Sequence, residues 1–155
     1  MNFNHAKGLL EVLHEKGFSE GASMDSIASL QEYVGRELPE DYVEYLENLG
    51  CGFASSEDFL GLGGEPFLDV VTVRRQLSEP STHSQLPNSF IPLKPDGYGN
   101  FDCIDLDQSS RQKSAVVLWL HDGGVGQQRD IIATGFWEWF CKELTSIRDF
   151  DAEGF

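Results

Sequence analysis

The chain has 155 residues, 40% hydrophobic and 12% aromatic, which suits one folded domain with a sizeable core and excludes a disordered chain. Its formal net charge is −15, from 26 acids against 11 bases. Such a surface repels phosphate backbones and anionic lipid, so nucleic acid and membranes are poor partners and a basic protein is an attractive one. The same acidity also serves a plain cytosolic protein by keeping it soluble. No window approaches about 18 uninterrupted apolar residues, and the N-terminus MNFNHAKGLLEVLHEKG lacks a signal-peptide core. Cys51, Cys103 and Cys141 have no C-x-x-C spacing. They read as small buried hydrophobes in a reducing compartment, so a cytoplasmic location is expected.

In chain order, Asn4–Glu15 predicts a first helix with Leu9, Leu10 and Leu13 on one face, ended by Gly17. After the loop FSEGAS a second helix begins near Asp25, capped by Asp25 or Ser26, with Ile27, Leu30 and Val34 apolar and Gly35 at its end. The segment LPEDYVEYLENLGCG, Leu38 to Gly52, reads as a third helix. Pro39 suits its first turn, and Gly50 and Gly52 its exit. Tyr42, Leu46 and Leu49, with Tyr45 beside them, form a buried side, and Glu40, Glu44 and Glu47 an acidic one. CGFASSEDFLGLGGEP follows as a Gly- and Ser-rich loop with a short strand at Phe59–Leu62. DVVTVRRQLSE has β-branched residues, but Val70, Val73 and Leu77 keep helical spacing and Asp69 is a good N-cap, so a helix is expected. EPSTHSQLPN is a polar loop.

The second half changes character. Phe90–Pro95, Phe101–Leu106, Ala115–His121 and Arg129–Ala133 read as strands joined by DGYGN, DQSSRQKS and DGGVGQQ. Connections this short permit only antiparallel hairpins. Pro92 marks an edge strand or a bulge. The third of these strands is apolar on both faces. It is either covered on both sides or presents its Trp119 face to a partner. A terminal helix, GFWEWFCKELTSIRDF, is capped by Thr134 and buries Phe136, Phe140, Leu144 and Ile147. Trp137 and Trp139 lie two apart, so one of them is expected to be partly exposed as an interface anchor. The order of elements gives an α+β fold: N-terminal helices, an antiparallel meander of about four to six strands, and a C-terminal helix packed on the sheet.

Candidate chemistry is sparse. His121 and Asp122 adjoin on a strand and point to opposite faces, which hinders a base–orienter pair. Cys103 and His121 form a nucleophile–base pair only if the fold joins them. Asp102, Asp105 and Asp107 include the oxygen ligands of a hard cation but lack a Ca²⁺-loop pattern. Gly97-Tyr98-Gly99 and Gly123-Gly124-Val125-Gly126 match hairpin turns, not phosphate loops. No catalytic residue, metal or cofactor is expected. The notable charge feature is the run Glu37 to Asp69, with nine acids and no Lys or Arg. A second acidic group, Asp149, Asp151 and Glu153, closes the chain.

Taken in order, five motifs resemble the SUKH superfamily, which includes fungal SMI/KNR cell-wall-synthesis regulators and many bacterial immunity proteins. LPEDYVEYLENLGCG resembles its LP-x-x-Y/F helix, FLGLGG the short strand after it, and FIPLKPDGYGNFDCIDL its I/F-P hairpin. VVLWLHDGG resembles the next strand and GFWEWFCKEL the terminal helix. The resemblance runs from about Ile27 to Leu144, with Cys51 interrupting the usual glycine pair. The first helix lies before the usual family start. One domain over residues 1–155 is expected, with a core over 25–148, an extra helix and loop over 1–24 and an acidic tail over 149–155. The resemblance implies a non-enzymatic adaptor or inhibitor, most simply an immunity protein that neutralises a cognate toxin, often a nuclease. The compact chain lacks the long extensions of the fungal regulators, the alternative reading. The expected partner is a basic protein such as a secreted or contact-delivered toxin domain. The expected contact residues are Glu40, Asp41, Glu44, Glu47, Glu57, Asp58 and Trp119.

Overall fold

The structure is a computed structural model and describes residues 1–80 and 84–153. Its elements are α1 (Phe3–Glu11), β1 (Lys16–Phe18), α2 (Met24–Val34), α3 (Glu40–Asn48), β2 (Gly52–Ala54) and β3 (Glu57–Phe59), then α4 (Val70–Leu77), β4 (Phe90–Pro95), β5 (Phe101–Asp105), β6 (Val116–Trp119), β7 (Ile131–Ala133) and α5 (Phe136–Ala152). A short 3-10 turn, Pro66–Leu68, precedes α4. Two antiparallel sheets form, β1-β2-β3 and β4-β5-β6-β7. The Leu60 N–H donates to the Leu93 carbonyl at 2.8 Å and joins them. The α+β fold and the four-stranded meander are as the sequence predicts. Pro92 is both on the edge strand β4 and at a register shift, where its missing N–H interrupts no ladder.

Several local expectations need correction. The first helix stops at Glu11, and Gly17 lies within β1, opposite Phe53. Ser23, not Asp25 or Ser26, caps α2, its hydroxyl accepting from the Ser26 N–H; Gly35 ends it at φ 80°, a left-handed position that glycine takes without strain. The strand placed at Phe59–Leu62 is Glu57–Phe59, paired with β2, which the sequence reading treats as loop. As expected, Asp69 caps α4, accepting from the Thr72 N–H. The loop 79–88 is not purely polar. Leu86 is buried, and Ser84 accepts from the Gly124 N–H at 2.8 Å; Ser81, Thr82 and His83 lie outside the described residues.

The main core joins α1, α2, α3, α5 and the inner sheet faces. A second cluster, Leu86, Phe90, Cys103, Val117 and Trp119, fills the opposite face of the larger sheet. Trp119 is therefore fully buried and is not a partner surface; the exposed residue of that strand is Leu118. Both tryptophans of α5 are also buried, at 5% and 3% exposure. This corrects the expected exposed anchor, and the cause is packing on two sides. Trp137 stacks on Phe3 of α1 and meets Tyr45 of α3, while Trp139 meets Phe59 of β3. The first helix is thus part of the core. The supposed acidic tail is largely helical: α5 runs to Ala152 and Ser55 donates to Asp151 at 3.3 Å. Gly154 and Phe155 lie outside the described residues. Among the described residues, no helix is long and apolar enough to cross a membrane.

Burial pushes up the phenols of Tyr42 and Tyr45, yet their hydroxyls differ. Tyr45 donates to the Leu60 carbonyl at 3.0 Å; Tyr42 has no partner among the described residues. Tyr45→Phe is expected to lower the unfolding free energy by about 1–2 kcal/mol and Tyr42→Phe by under about 0.5 kcal/mol. Urea unfolding of the two variants checks the contrast.

Candidate functional site

On α3 the acidic side chains go to different tasks. Asp41 accepts from the Ser114 N–H at 2.9 Å, the Ser114 hydroxyl at 2.6 Å and the Phe136 N–H at 2.7 Å. It thereby caps the N-terminus of α5, the role assigned by sequence to Thr134. Thr134 instead donates to Glu138 at 2.9 Å, and Gly135 occupies the cap position without a side-chain bond. Glu44 accepts from the indole N–H of Trp137 at 2.6 Å. Glu40 faces Arg111 at 3.7 Å with both side chains exposed, a pair that water screens. Glu47 is exposed, with no ion pair among the described residues. Glu57 pairs with Lys94 at 2.9 Å. Asp41, Glu44 and Glu57 are therefore structural, and the seven expected contact residues do not form one patch.

Lys94 also lies 3.8 Å from Glu143, which interacts with Asp102, and Asp102 accepts from the Trp139 indole at 2.9 Å. Burial raises the carboxyl pKa of Asp102 against the Trp139 and Lys94 interactions, and raises that of Glu143 against Lys94. A folded pKa above the unfolded one means that the folded state holds its protons more tightly. The stabilisation is fully present below the unfolded carboxylate pKa, and is lost as pH rises through the raised folded values. Glu143→Gln is expected to flatten the loss of stability as pH rises above the ordinary carboxylate range, seen as a smaller difference in urea midpoint. Asp107 acts oppositely. Hydrogen bonding from Arg36 holds its carboxyl low, so its contribution is lost as pH falls.

The residues considered for chemistry stand apart. Cys103 is fully buried in the second cluster, and burial pushes its thiol well up, which disfavours a thiolate. His121 is exposed, its Nδ1 2.9 Å from Asn100 Oδ1. Asp105 is buried and accepts from the Asp107 N–H and the Gln108 amide, and Asp107 pairs with Arg36 at 2.7 Å. The two glycine-rich segments are turns, with Gly97, Gly99 and Gly124 at positive φ.

A cleft of about 520 Å³ opens where the small sheet meets the glycine-rich loop. Its construction follows from glycine. Gly17 lies opposite Phe53 across β1 and β2, and a Cβ there would sit 2.7 Å from the Phe53 ring. Phe53 in turn lies opposite Asp58 of β3, placing a glycine, an aromatic ring and a carboxylate side by side on one face. The lining also includes Glu65, at the start of the 3-10 turn, and Phe67 within it. Phe53 and Phe67 are 41% and 62% exposed. The lining holds two carboxylates and no Lys, Arg or His. Burial and the neighbouring Glu57 raise the Asp58 carboxyl. Of the acids expected to contact a partner, Asp58 alone lines this cleft. Phe53 and Phe67 escaped the sequence reading, although two aromatics in a Gly/Ser-rich segment are a usable signal.

Comparison with known proteins agrees with this architecture. A crystal structure of a protein from Pseudomonas syringae pv. tomato has a similar fold, with a TM-score of 0.58, 16% sequence identity, and coverage of 77% of this chain and 83% of that chain. A SUKH family model described as SMI1-KNR4 cell-wall (SUKH_5) matches residues 7–145. The match begins inside α1, earlier than the motifs alone indicate. With most of its length matched, and four of its five motif segments on the expected helices and strands, the chain belongs to the SUKH superfamily.

Proposed function

We propose that this domain is a non-enzymatic, protein-binding immunity protein that neutralises a basic toxin domain. The observation that carries the reading is the charge surplus of 26 acids over 11 bases in a SUKH chain. After the structural carboxylates are set aside, Glu37, Glu47 and Glu65 are still exposed and Asp58 half-exposed. Such carboxylates stand in for phosphates against a cationic groove, speed the encounter, and block a nuclease from its substrate. Cytoplasmic action follows from the same reading. The direct test is co-expression with any toxin-like domain encoded beside this gene; restored growth supports the reading, and continued killing, or the lack of such a neighbour, refutes it. Membership of the SMI1-KNR4 cell-wall family favours a second reading, a regulatory scaffold. A pull-down that recovers several weak partners and no tight, salt-sensitive one supports that alternative.

Charge reversal must respect the geometry. Changing Glu44 to Lys would break the Trp137 bond along with any interface, so loss of binding in a triple reversal of Glu40, Glu44 and Glu47 is ambiguous. Glu47→Lys alone is the clean probe on α3.

A further inference from the structure

We propose that the cleft between β2–β3 and the 3-10 turn is a receptor for a lysine or arginine side chain presented by the protein partner. The inference rests on the immunity reading for the partner's identity, and on the cleft itself for the chemistry.

Three observations converge. First, Phe53 and Phe67 are large apolar side chains left exposed at the rim of one concavity. The aromatic face is an attractive surface for a cation, and more so once water is displaced. Second, Asp58 and Glu65 lie in the same lining with no base to neutralise them. The lysines of the adjoining strands are engaged elsewhere: Lys16 donates to the Leu13 carbonyl at 2.7 Å and Lys94 pairs with Glu57. An arriving cation therefore meets carboxylates that have no ion pair among the described residues. Third, the cleft is preformed by backbone. A Cβ on Gly64 would run into the Cys51 sulfur, and the Phe53 ring lies over Gly17, so the walls are held by glycines and little ordering is needed on binding. An apolar occupant would leave both carboxylates uncompensated, and an anion would be repelled by them. The long alkyl stem of Lys or Arg can lie along the phenylalanines while its head reaches a carboxylate.

The probe is acetyl-triarginine amide, titrated into the ¹⁵N-labelled full chain at low salt, with acetyl-tricitrulline amide as the neutral isostere. The expected result is saturable amide shifts at Phe53, Asp58, Glu65 and Phe67 with the arginine peptide and none with the citrulline peptide. Phe67→Ser together with Asp58→Asn and Glu65→Gln, all at exposed or half-exposed positions, should weaken binding at least about fivefold, with the exposed Asp122→Asn close to unchanged. Shifts centred on α3, equal response to citrulline, or unchanged affinity in the triple variant would each overturn the proposal. The two readings fail separately. Arginine binding in the cleft without toxin neutralisation removes the immunity role and leaves the receptor. Neutralisation that survives the triple variant removes the receptor and leaves the immunity role.

Discussion

Asp41→Ala is expected to lower the unfolding free energy by about 3–4 kcal/mol. The carboxylate accepts from two backbone N–H groups and one hydroxyl. Bonds to a charged group contribute about 1.5–3 kcal/mol each, and a lost N-cap alone costs about 1–2 kcal/mol. These terms overlap, since Asp41 is only half-buried, so the sum is discounted. The residue links α3 to the loop before β6 and to the start of α5, the helix that carries Phe136, Trp137, Trp139 and Phe140 into the core. Against a usual total of about 5–15 kcal/mol, such a loss is severe. Asp41→Asn keeps one acceptor oxygen and should cost about half as much. Urea unfolding followed by tryptophan fluorescence is well suited, because Trp119, Trp137 and Trp139 are all buried. A loss below about 1 kcal/mol for the alanine variant would show that Asp41 is not the keystone of that junction.

Gly61→Ala is expected to cost about 3 kcal/mol or more. A Cβ at Gly61 would run into the carbonyl oxygen of Gly50, lie 2.9 Å from the Gly50 carbonyl carbon, and crowd the Cys51 side chain at 3.3 Å. The neighbours cannot yield easily. The Gly61 N–H donates to the Leu68 carbonyl at 2.9 Å, its carbonyl accepts from the Val70 N–H at 3.0 Å, and the Leu62 N–H donates to the Gly50 carbonyl at 3.0 Å. The same backbone seats Cys51 and Leu68, which line the cleft, so the substitution should disturb the cleft as well as the core. Gly8→Ala is the control. Gly8 lies inside α1 with open space where its Cβ would go, and the change should add about 0.5–1 kcal/mol. Equal effects at the two glycines would contradict the packing described here.

Helix α3 and the β4–β7 meander were legible because their signals are local. In α3, Pro39, the Tyr42–Leu46 stripe and Gly50 state the start, the buried side and the exit within twelve residues. In the meander, turn residues separate runs of apolar alternation. Asp69 made α4 legible for the same reason, since a cap and its N–H lie three residues apart. Strands β1 and β2 were not legible. Each has three residues and contains glycine, and they pair with each other across 36 positions, as Gly17 does with Phe53. The cap of α5 comes from Asp41, 95 residues away, and no local pattern carries that information.

The acidic segment shows the same division. The sequence places nine carboxylates together, but their destinations depend on tertiary partners. Asp41 goes to a helix end, Glu44 to an indole, Glu57 to Lys94 and Asp69 to a cap. Charge density along the chain therefore overstates the free acidic surface. What it could not show is that Asp58 and Glu65 line one cleft together with Phe53 and Phe67. Trp119 was misleading in the opposite sense. Its strand is apolar on both faces, and the side that looked available is covered by Leu86 from a loop that reads as polar.

The most direct measurement is growth of cells producing any toxin-like domain found encoded beside this gene, with and without this chain. Growth should be restored by the wild-type chain, and reduced again by the combined Phe67→Ser, Asp58→Asn and Glu65→Gln variant expressed to the same level. Killing that continues in the presence of well-folded wild-type protein would contradict the immunity function.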